Sequence, residues 1–325
     1  MIRRQATPIA LPPEQHDGTP GRRVLIIVNP AAGRSGSSRR WITRVVAGLR
    51  QRGCNVTLRQ AGPASGGVEL LAREAGAFDV IAAAGGDGTL NAVVNGVFRA
   101  RESERPIFAL LPLGTANVLA RELGLPHRRR GNAETFAALI AEAEPRPIWP
   151  GRVGDRLFVT MASAGFDAQT VAAVNPWFKR RFGRLAFVWA FLVCLARYRP
   201  ADLTVRVDNI DYRAAGIVAA KGRFYAGSYV IAPAADLTMP ILDLVLFRRS
   251  GRVAVLRYLL ALLRGRLTGL PDVTRVHGQA IFVIGPASIP VQADGEVVSR
   301  LPAPLGIATE PLHFIAPMQN SSSKC

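Results

Sequence analysis

The chain has 325 residues, 49% of them hydrophobic and 7% aromatic, which is enough for two domains and a sizeable core. Its 41 basic residues against 23 acidic ones give a formal charge of +18; because the basic residues are scattered without aromatic interleaving, the expected partner is an anionic membrane surface and not a specific nucleic acid. Cys54, Cys194 and Cys325 lie far apart and offer no disulfide framework or metal-ligand spacing, as in a reducing cytoplasm, and no apolar run approaches the ~20 residues that cross a bilayer.

Residues 1–20, rich in Pro, Gln and Thr, read as a loose tail without the apolar core of a signal peptide. A buried parallel strand is expected over 24–28, running into the glycine-bearing loop Asn29-Pro30-Ala31-Ala32-Gly33-Arg34-Ser35-Gly36, a candidate anion cradle. No Gly-Lys-Ser/Thr follows it, so this is not a P-loop, and phosphate charge must be met by backbone, arginine and metal. A helix over about 38–53 carries Trp41, Val45, Val46 and Leu49 on one side. A strand over 55–59 and a helix over about 67–75 lead to a further strand over 79–84.

That strand feeds Gly85-Gly86-Asp87-Gly88-Thr89-Leu90-Asn91, the most telling stretch of the chain. Glycines let backbone amides approach an anion, and the helix starting near Thr89 adds unpaired N–H groups and the positive end of its dipole. Leu90, Val93, Val94, Val97 and Phe98 fall on one helical face, which a mere hairpin would not need. A carboxylate beside a phosphate is repulsive unless a divalent cation lies between them, so Asp87 points to a nucleotide site working through Mg²⁺. The strand over 107–111 then ends in Pro112-Leu113-Gly114-Thr115-Ala116-Asn117 and a short helix closed by Gly124 and Pro126. In a parallel sheet these three strand ends converge on one crevice.

From about residue 149 the texture changes to short alternating strands over 157–161, 203–208, 214–220, 229–232, 242–247, 280–284 and 290–293, a mostly antiparallel β domain. Two basic, apolar helical segments interrupt it, over 175–198 and 252–267. In the second, Arg257 and Arg264 share one face, and Leu256, Leu259, Leu260 and Leu263 form a greasy side that packs on the β domain, lies on a membrane, or does both. The fold class is therefore α/β: an N-terminal nucleotide-binding domain with a parallel sheet, then a mostly antiparallel β-rich domain with inserted helices. Residues 291–298, with Asp294-Gly295 at their centre, have the form of a two-residue hairpin turn.

Taken together, VNPAAGR (28–34), GGDGTLNAVVNG (85–96), LPLGTANVLAREL (111–123), SAGFDA (163–168), IAPAADL…ILDLVLF (231–247) and VQADGE (291–296) resemble the diacylglycerol kinase catalytic-domain family, bacterial lipid kinases related to sphingosine and ceramide kinases. The order and spacing hold over nearly all of 22–316. The resemblance implies an ATP- and Mg²⁺-dependent lipid kinase with an ATP-binding domain over 21–148 and a lipid-binding β-rich domain over 149–316, followed by a tail over 317–325. It implies nucleotide contacts from Asn29, Pro30, Gly33, Gly86, Asp87, Gly88, Thr89, Leu90, Asn91, Gly114, Thr115 and Asn117. Asp294 would take the proton of the lipid hydroxyl, Glu296 would support the metal or the base, and Asp87 and Asp294 would meet across the cleft around Mg²⁺. The substrate expected is a diacylglycerol-like or sphingoid lipid, met at the inner face of a membrane that the protein touches peripherally.

Two departures stand out. Relatives commonly carry Asp-Gly in the loop before 241–243, where it helps to hold a structural Mg²⁺; this chain has Met239-Pro240. Val118 stands where relatives often have Asp. These departures motivate one alternative, a non-catalytic lipid-binding protein on the same fold. Another is an NAD kinase-like enzyme, which would share GGDGT and the N-terminal domain but not PLGTAN or DGE. An exposed edge strand in the β domain also offers a route to a homodimer.

Overall fold

The computed structural model describes residues 21–29, 36–60, 75–99, 105–126, 132–175 and 184–317. Most of the helix expected over 67–75, and residues 176–183 of the segment expected over 175–198, lie outside them.

β1 (Arg23–Val28), β2 (Asn55–Gln60), β3 (Val80–Gly85) and β4 (Ile107–Pro112) are joined by β5 (Pro145–Ile148) and β20 (Leu312–Ile315) in a six-stranded sheet of order β2-β1-β3-β4-β20-β5. Its first four strands pair in parallel, and β20 runs parallel to β4 but antiparallel to β5. Successive residues of β1 are buried on opposite faces, as a parallel sheet covered on both sides requires. Val24 and Ile26 meet Ile42, Val45, Val46 and Leu49 of the helix Gly36–Gln51. Leu25 and Ile27 meet Leu90, Val93, Val94 and Val97 of the helix Asp87–Arg99, the face expected from its spacing. Full burial of one such side chain contributes about 1.5–3 kcal/mol, which fixes that helix against the strand ends.

The second half is a β sandwich. β6 (Gly151–Val153), β7 (Arg156–Phe158), β9 (Leu203–Val207), β10 (Ile210–Ala214), β16 (Ala280–Ile284) and β19 (Ala303–Ile307) form one sheet of order β10-β9-β16-β19-β6-β7. β8 (Met161–Ala164), β11 (Gly216–Ala220), β14 (Leu242–Phe247), β15 (Val273–Gly278), β17 (Pro290–Ala293) and β18 (Glu296–Arg300) form the other, of order β15-β14-β11-β8-β17-β18. The pairings in both sheets are antiparallel, and a two-stranded ribbon of β12 (Phe224–Tyr225) and β13 (Tyr229–Val230) stands apart. Ile217 and Ala219 of β11 face the sandwich interior, while Val218 and Ala220 face outward onto Ala254, Tyr258, Ala261 and Leu262 of the helix Arg252–Leu263.

Two features depart from the expected arrangement, and a third bears on alternatives left open. β20 returns to the first sheet, so the stretch after residue 149 is not a self-contained unit. The strand expected over 157–161 breaks between β7 and β8, for a reason that lies in the site described below. The helix Arg252–Leu263 buries its alanine and tyrosine face and leaves Leu256, Leu260 and Leu263 exposed, with Val253 at 81%. Arg257 on that helix is engaged by Asp272.

Candidate active site

Asn29 and the two glycine loops that follow β3 and β4 meet where the parallel strands end. The Asn29 amide donates to the Ala84 carbonyl (3.0 Å), and its side chain donates to Thr89 Oγ1 (2.8 Å). The amides of Leu113 and Gly114 both donate to the Gly85 carbonyl, at 2.8 and 3.2 Å. Gly86 and Gly114 lie backbone to backbone: a Cβ on Gly114 would stand 2.6 Å from Gly86 Cα and from Asn117 Oδ1. Only glycine permits that approach, and it leaves a bare peptide floor at the mouth of β3 and β4. Asn117 adopts a left-handed conformation (φ 46°) and donates through Nδ2 to the Gly114 carbonyl (2.8 Å), while its buried Oδ1 has no hydrogen-bond partner.

Asp87 is taken up by the helix that follows Asn117. Its two oxygens accept the amides of Val118 (3.0 Å) and Leu119 (3.1 Å), capping the short helix Val118–Glu122. Burial pushes the Asp87 carboxyl above its ordinary value; those amides oppose the rise, and the charge of Asp294 adds to it.

Asp294 and Gly295, with φ of 47° and 81°, form the two-residue turn between β17 and β18. Two successive positive φ values suit a hairpin twist. The turn throws the Asp294 carboxylate back onto the 159–161 backbone. Oδ2 accepts the Val159 amide and Asn91 Nδ2, both at 2.8 Å; Oδ1 accepts the Thr160 amide (2.9 Å), Thr160 Oγ1 (2.5 Å) and the Met161 amide (3.1 Å). This explains the broken strand, because three consecutive amides that would enter a ladder converge instead on one carboxylate.

Asn91 is 2% exposed and joins the halves of the molecule. Besides Asp294, its Nδ2 reaches the Leu157 carbonyl (3.1 Å), and its Oδ1 accepts from Asn95 Nδ2 and from an Arg156 terminal nitrogen, both at 3.1 Å. That same Arg156 nitrogen lies 3.1 Å from Glu296 Oε2. The other oxygen, Glu296 Oε1, stands 3.7 Å from where a Gly88 Cβ would be, so a carboxylate of the sandwich fronts the glycine turn of the first sheet.

The sequence matches the family model described as "Diacylglycerol kinase catalytic domain" over residues 23–153 and that described as "YegS C-terminal NAD kinase beta sandwich-like domain" over 160–316. A relative named as a YegS-like lipid kinase from Chromohalobacter salexigens is 30% identical over 266 residues, 80% of this chain and 79% of the relative. The chain belongs to the diacylglycerol kinase catalytic-domain family. Relatives named "Diacylglycerol kinase" from Bacillus subtilis and Mycobacterium tuberculosis are 26% and 28% identical over 304 residues, covering 98% and 95% of those proteins and 92% and 91% of this one. The crystal structure of a diacylglycerol kinase from Bacillus anthracis superposes with a TM-score of 0.72 at 22% identity, over 92% of this chain and 99% of that one, a likeness of fold.

Within this kinase-family chain the residues expected to contact a nucleotide separate into groups. Asn29, Gly86, Gly88, Thr89, Gly114 and Asn117 gather at the strand ends, with Thr115 exposed beside them, whereas Pro30 and Gly33 lie outside the described residues. The Leu90 side chain is in the core, and its amide is taken by the Gly86 carbonyl at 3.2 Å. Asn91 serves the seam between the halves. Sequence reasoning overlooked Arg156, Asn95 and Thr160; the available signal was the pair of asparagines four residues apart on an otherwise apolar helix face. It also overlooked Glu122, whose Oε1 accepts the Phe224 amide (2.6 Å) and docks the ribbon onto the helix Val118–Glu122.

A Mg²⁺ held directly between Asp87 and Asp294 does not fit this arrangement. Asp294 accepts two donors on one oxygen and three on the other, which fills its lone-pair directions, and Asp87 faces two amides. Glu296, half exposed beside Gly88, is ion-paired with Arg156, and among the described residues no group of three or more His, Cys, Asp or Glu side chains gathers to hold a metal ion.

Proposed function

We propose that this protein transfers the γ-phosphate of ATP, with Mg²⁺, to a hydroxyl of a diacylglycerol-like lipid at an anionic membrane surface. The observation that carries the reading is the placement of Glu296 against the Gly88 turn, a carboxylate from the sandwich set beside a glycine loop at the end of a parallel strand. The unpartnered Asn117 Oδ1 beside the bare Gly86–Gly114 floor is an acceptor that a nucleotide donor would satisfy.

In this reading the glycine floor and the start of the helix Asp87–Arg99 receive the phosphates, and a Mg²⁺ would arrive bound to their oxygens. Mg²⁺ supplies charge neutralisation on the transferring phosphoryl oxygens. Arg156 orients Glu296 and stands by to meet phosphate charge. Glu296 takes the proton of the lipid hydroxyl as that oxygen bonds the γ-phosphorus and the bond from the γ-phosphorus to the β–γ bridging oxygen breaks, releasing ADP, and Asp294, saturated by five donors, locks the turn that presents Glu296. The lipid side is supported by two exposed apolar stripes. Leu185, Val188, Trp189 and Leu192 follow i, i+3, i+4, i+7 on the helix Arg184–Ala196, and Val253, Leu256, Leu260 and Leu263 line the other helix. Arg252 of the second helix donates to the Ala196 carbonyl (2.6 Å), which ties the helices together. No helix among the described residues is long and apolar enough to cross a membrane, so contact through these stripes would be peripheral.

The test is transfer of labelled γ-phosphate from ATP into mixed micelles of diacylglycerol, sphingosine or total lipid, with NAD as a soluble acceptor. Wild type should label diacylglycerol, and Glu296→Gln should lose at least ~100-fold in kcat while keeping its fold. Labelling of NAD alone would refute the lipid reading. An active Glu296→Gln beside a folded but dead Asp294→Asn would move the proton acceptor to Asp294.

A further inference from the structure

Lys221 follows β11 and is completely buried (0% exposed) in a chain whose other lysines are Lys179 and Lys324. Its Nζ donates to the carbonyls of Asp236 (2.8 Å), Ile241 (3.0 Å) and Met239. Three N–H bonds meet three carbonyls, so every donor of the ammonium is used. The Asp236 carboxylate does not bond Nζ and acts on it only through its charge; its Oδ1 accepts from the Thr238 amide (2.8 Å) and from Thr238 Oγ1 (2.7 Å). The nearby acids are committed elsewhere, Asp243 to Arg275 (2.8 Å) and Glu122 to the Phe224 amide (2.6 Å).

Carbonyls from one short loop pointing at a common centre form the kind of shell that a hard cation occupies. Here the centre is already positive. Met239-Pro240 adds no carboxylate, so the donor set consists of neutral carbonyls around an ammonium, and a divalent ion does not fit it. We propose that Lys221 is a tethered cation that closes the 236–241 loop in place of a metal, so that the seam beside Asp294 is organised without one. The seam is reached directly: the amides of Lys221 and Gly222 donate to the Thr160 carbonyl (2.8 and 3.0 Å), and the Thr160 amide donates to Asp294 Oδ1 (2.9 Å). On its other side the loop enters the first half of the molecule, where the Leu237 carbonyl accepts the Trp149 amide (2.9 Å) and the Leu237 side chain joins the core of the first sheet.

The experiment follows thermal unfolding of the full chain, without nucleotide, in EDTA and in millimolar MgCl₂ or MnCl₂, and does not depend on the proposed activity. Wild type should unfold at the same temperature in all three, and Lys221→Met should unfold roughly 5–10 °C lower with no response to metal. A double variant, Lys221→Ala with Met239→Asp, exchanges the tethered cation for a carboxylate beside the same carbonyls and should gain a midpoint that rises with Mn²⁺ or Mg²⁺. A wild-type midpoint that falls in EDTA and recovers with Mg²⁺ would overturn the proposal, as would Lys221→Met unfolding with wild type, or a folded double variant that ignores metal. Should the double variant not fold, the first two comparisons decide alone.

Discussion

Asn91 Nδ2 lies 2.8 Å from Asp294 Oδ2, a bond across 203 residues that ties the helix following the glycine turn to the hairpin turn of the sandwich. The donor sits on the helix that follows the glycine turn, and the acceptor sits two residues before Glu296. The geometry between glycine turn and Glu296 therefore depends on this pair. Asn91→Ala should lower stability by about 1–3 kcal/mol and lower kcat more than it raises the KM for ATP. Asn91→Asp should be worse on both counts, because it sets a second carboxylate against Asp294. Urea unfolding and steady-state kinetics on both variants check this, and equal effects would show that charge is immaterial there.

Gly114→Ala forces a Cβ to 2.6 Å from Gly86 Cα, so the two loops must part. ATP affinity by calorimetry should fall more than ~10-fold, with about 1–3 kcal/mol of lost stability. Gly36, at the start of its helix, has nothing within 4 Å of a Cβ, so Gly36→Ala should bind ATP normally and be stabilised by a few tenths of a kcal/mol or more. Matching behaviour of the two variants would remove the argument for a close-approach floor.

Burial pushes the Glu122 carboxyl above its ordinary 4.5, against the opposing pull of the Phe224 amide and Arg223. A carboxyl with a raised folded-state pKa binds its proton more tightly folded than unfolded. Its contribution is therefore full below 4.5 and is lost as pH rises through the folded value. Glu122→Gln does not ionise, so its unfolding midpoint should gain on wild type as pH goes from about 4 to about 7. Parallel curves would mean that Glu122 does not couple ribbon docking to pH.

Trp189, 61% exposed, and Leu192 stand on one apolar stripe, and Leu256 and Leu260 stand on the other. Replacing either pair by Glu should cut co-flotation with phosphatidylglycerol vesicles by at least ~10-fold while leaving the unfolding midpoint within ~2 °C, since these side chains add little to the core. Unchanged flotation would dismiss the stripes as the membrane contact.

Much of the frame was readable from residues alone, for a local reason. A strand buried on both faces, a helix with Leu90, Val93, Val94 and Val97 on one side, and a glycine turn between them depend on periodicity and turn chemistry within about 20 residues. The Asp294-Gly295 hairpin was visible in the same way. The strand over 157–161 was misjudged because its alternation is sound and its interruption is not local: the amides of Val159, Thr160 and Met161 leave the ladder for a carboxylate more than 130 residues away. Arg156 and Lys221 had no local signature, since an arginine in a basic chain and a lysine at a strand end are ordinary on a surface.

The sequence by itself determined the strand and helix order around the glycine turns of the first half, the convergence of glycine loops at parallel strand ends and the family. Tertiary structure decided which carboxylate faces which partner. Asp87 became a helix cap, Asp294 a clasp, Glu296 the group beside the glycine turn, and Lys221 the donor shared by three carbonyls of the 236–241 loop. Turn and strand preferences are set by neighbours along the chain. Where a buried charge finds its hydrogen bonds is set by whatever the fold brings within 3 Å, and no local pattern encodes that.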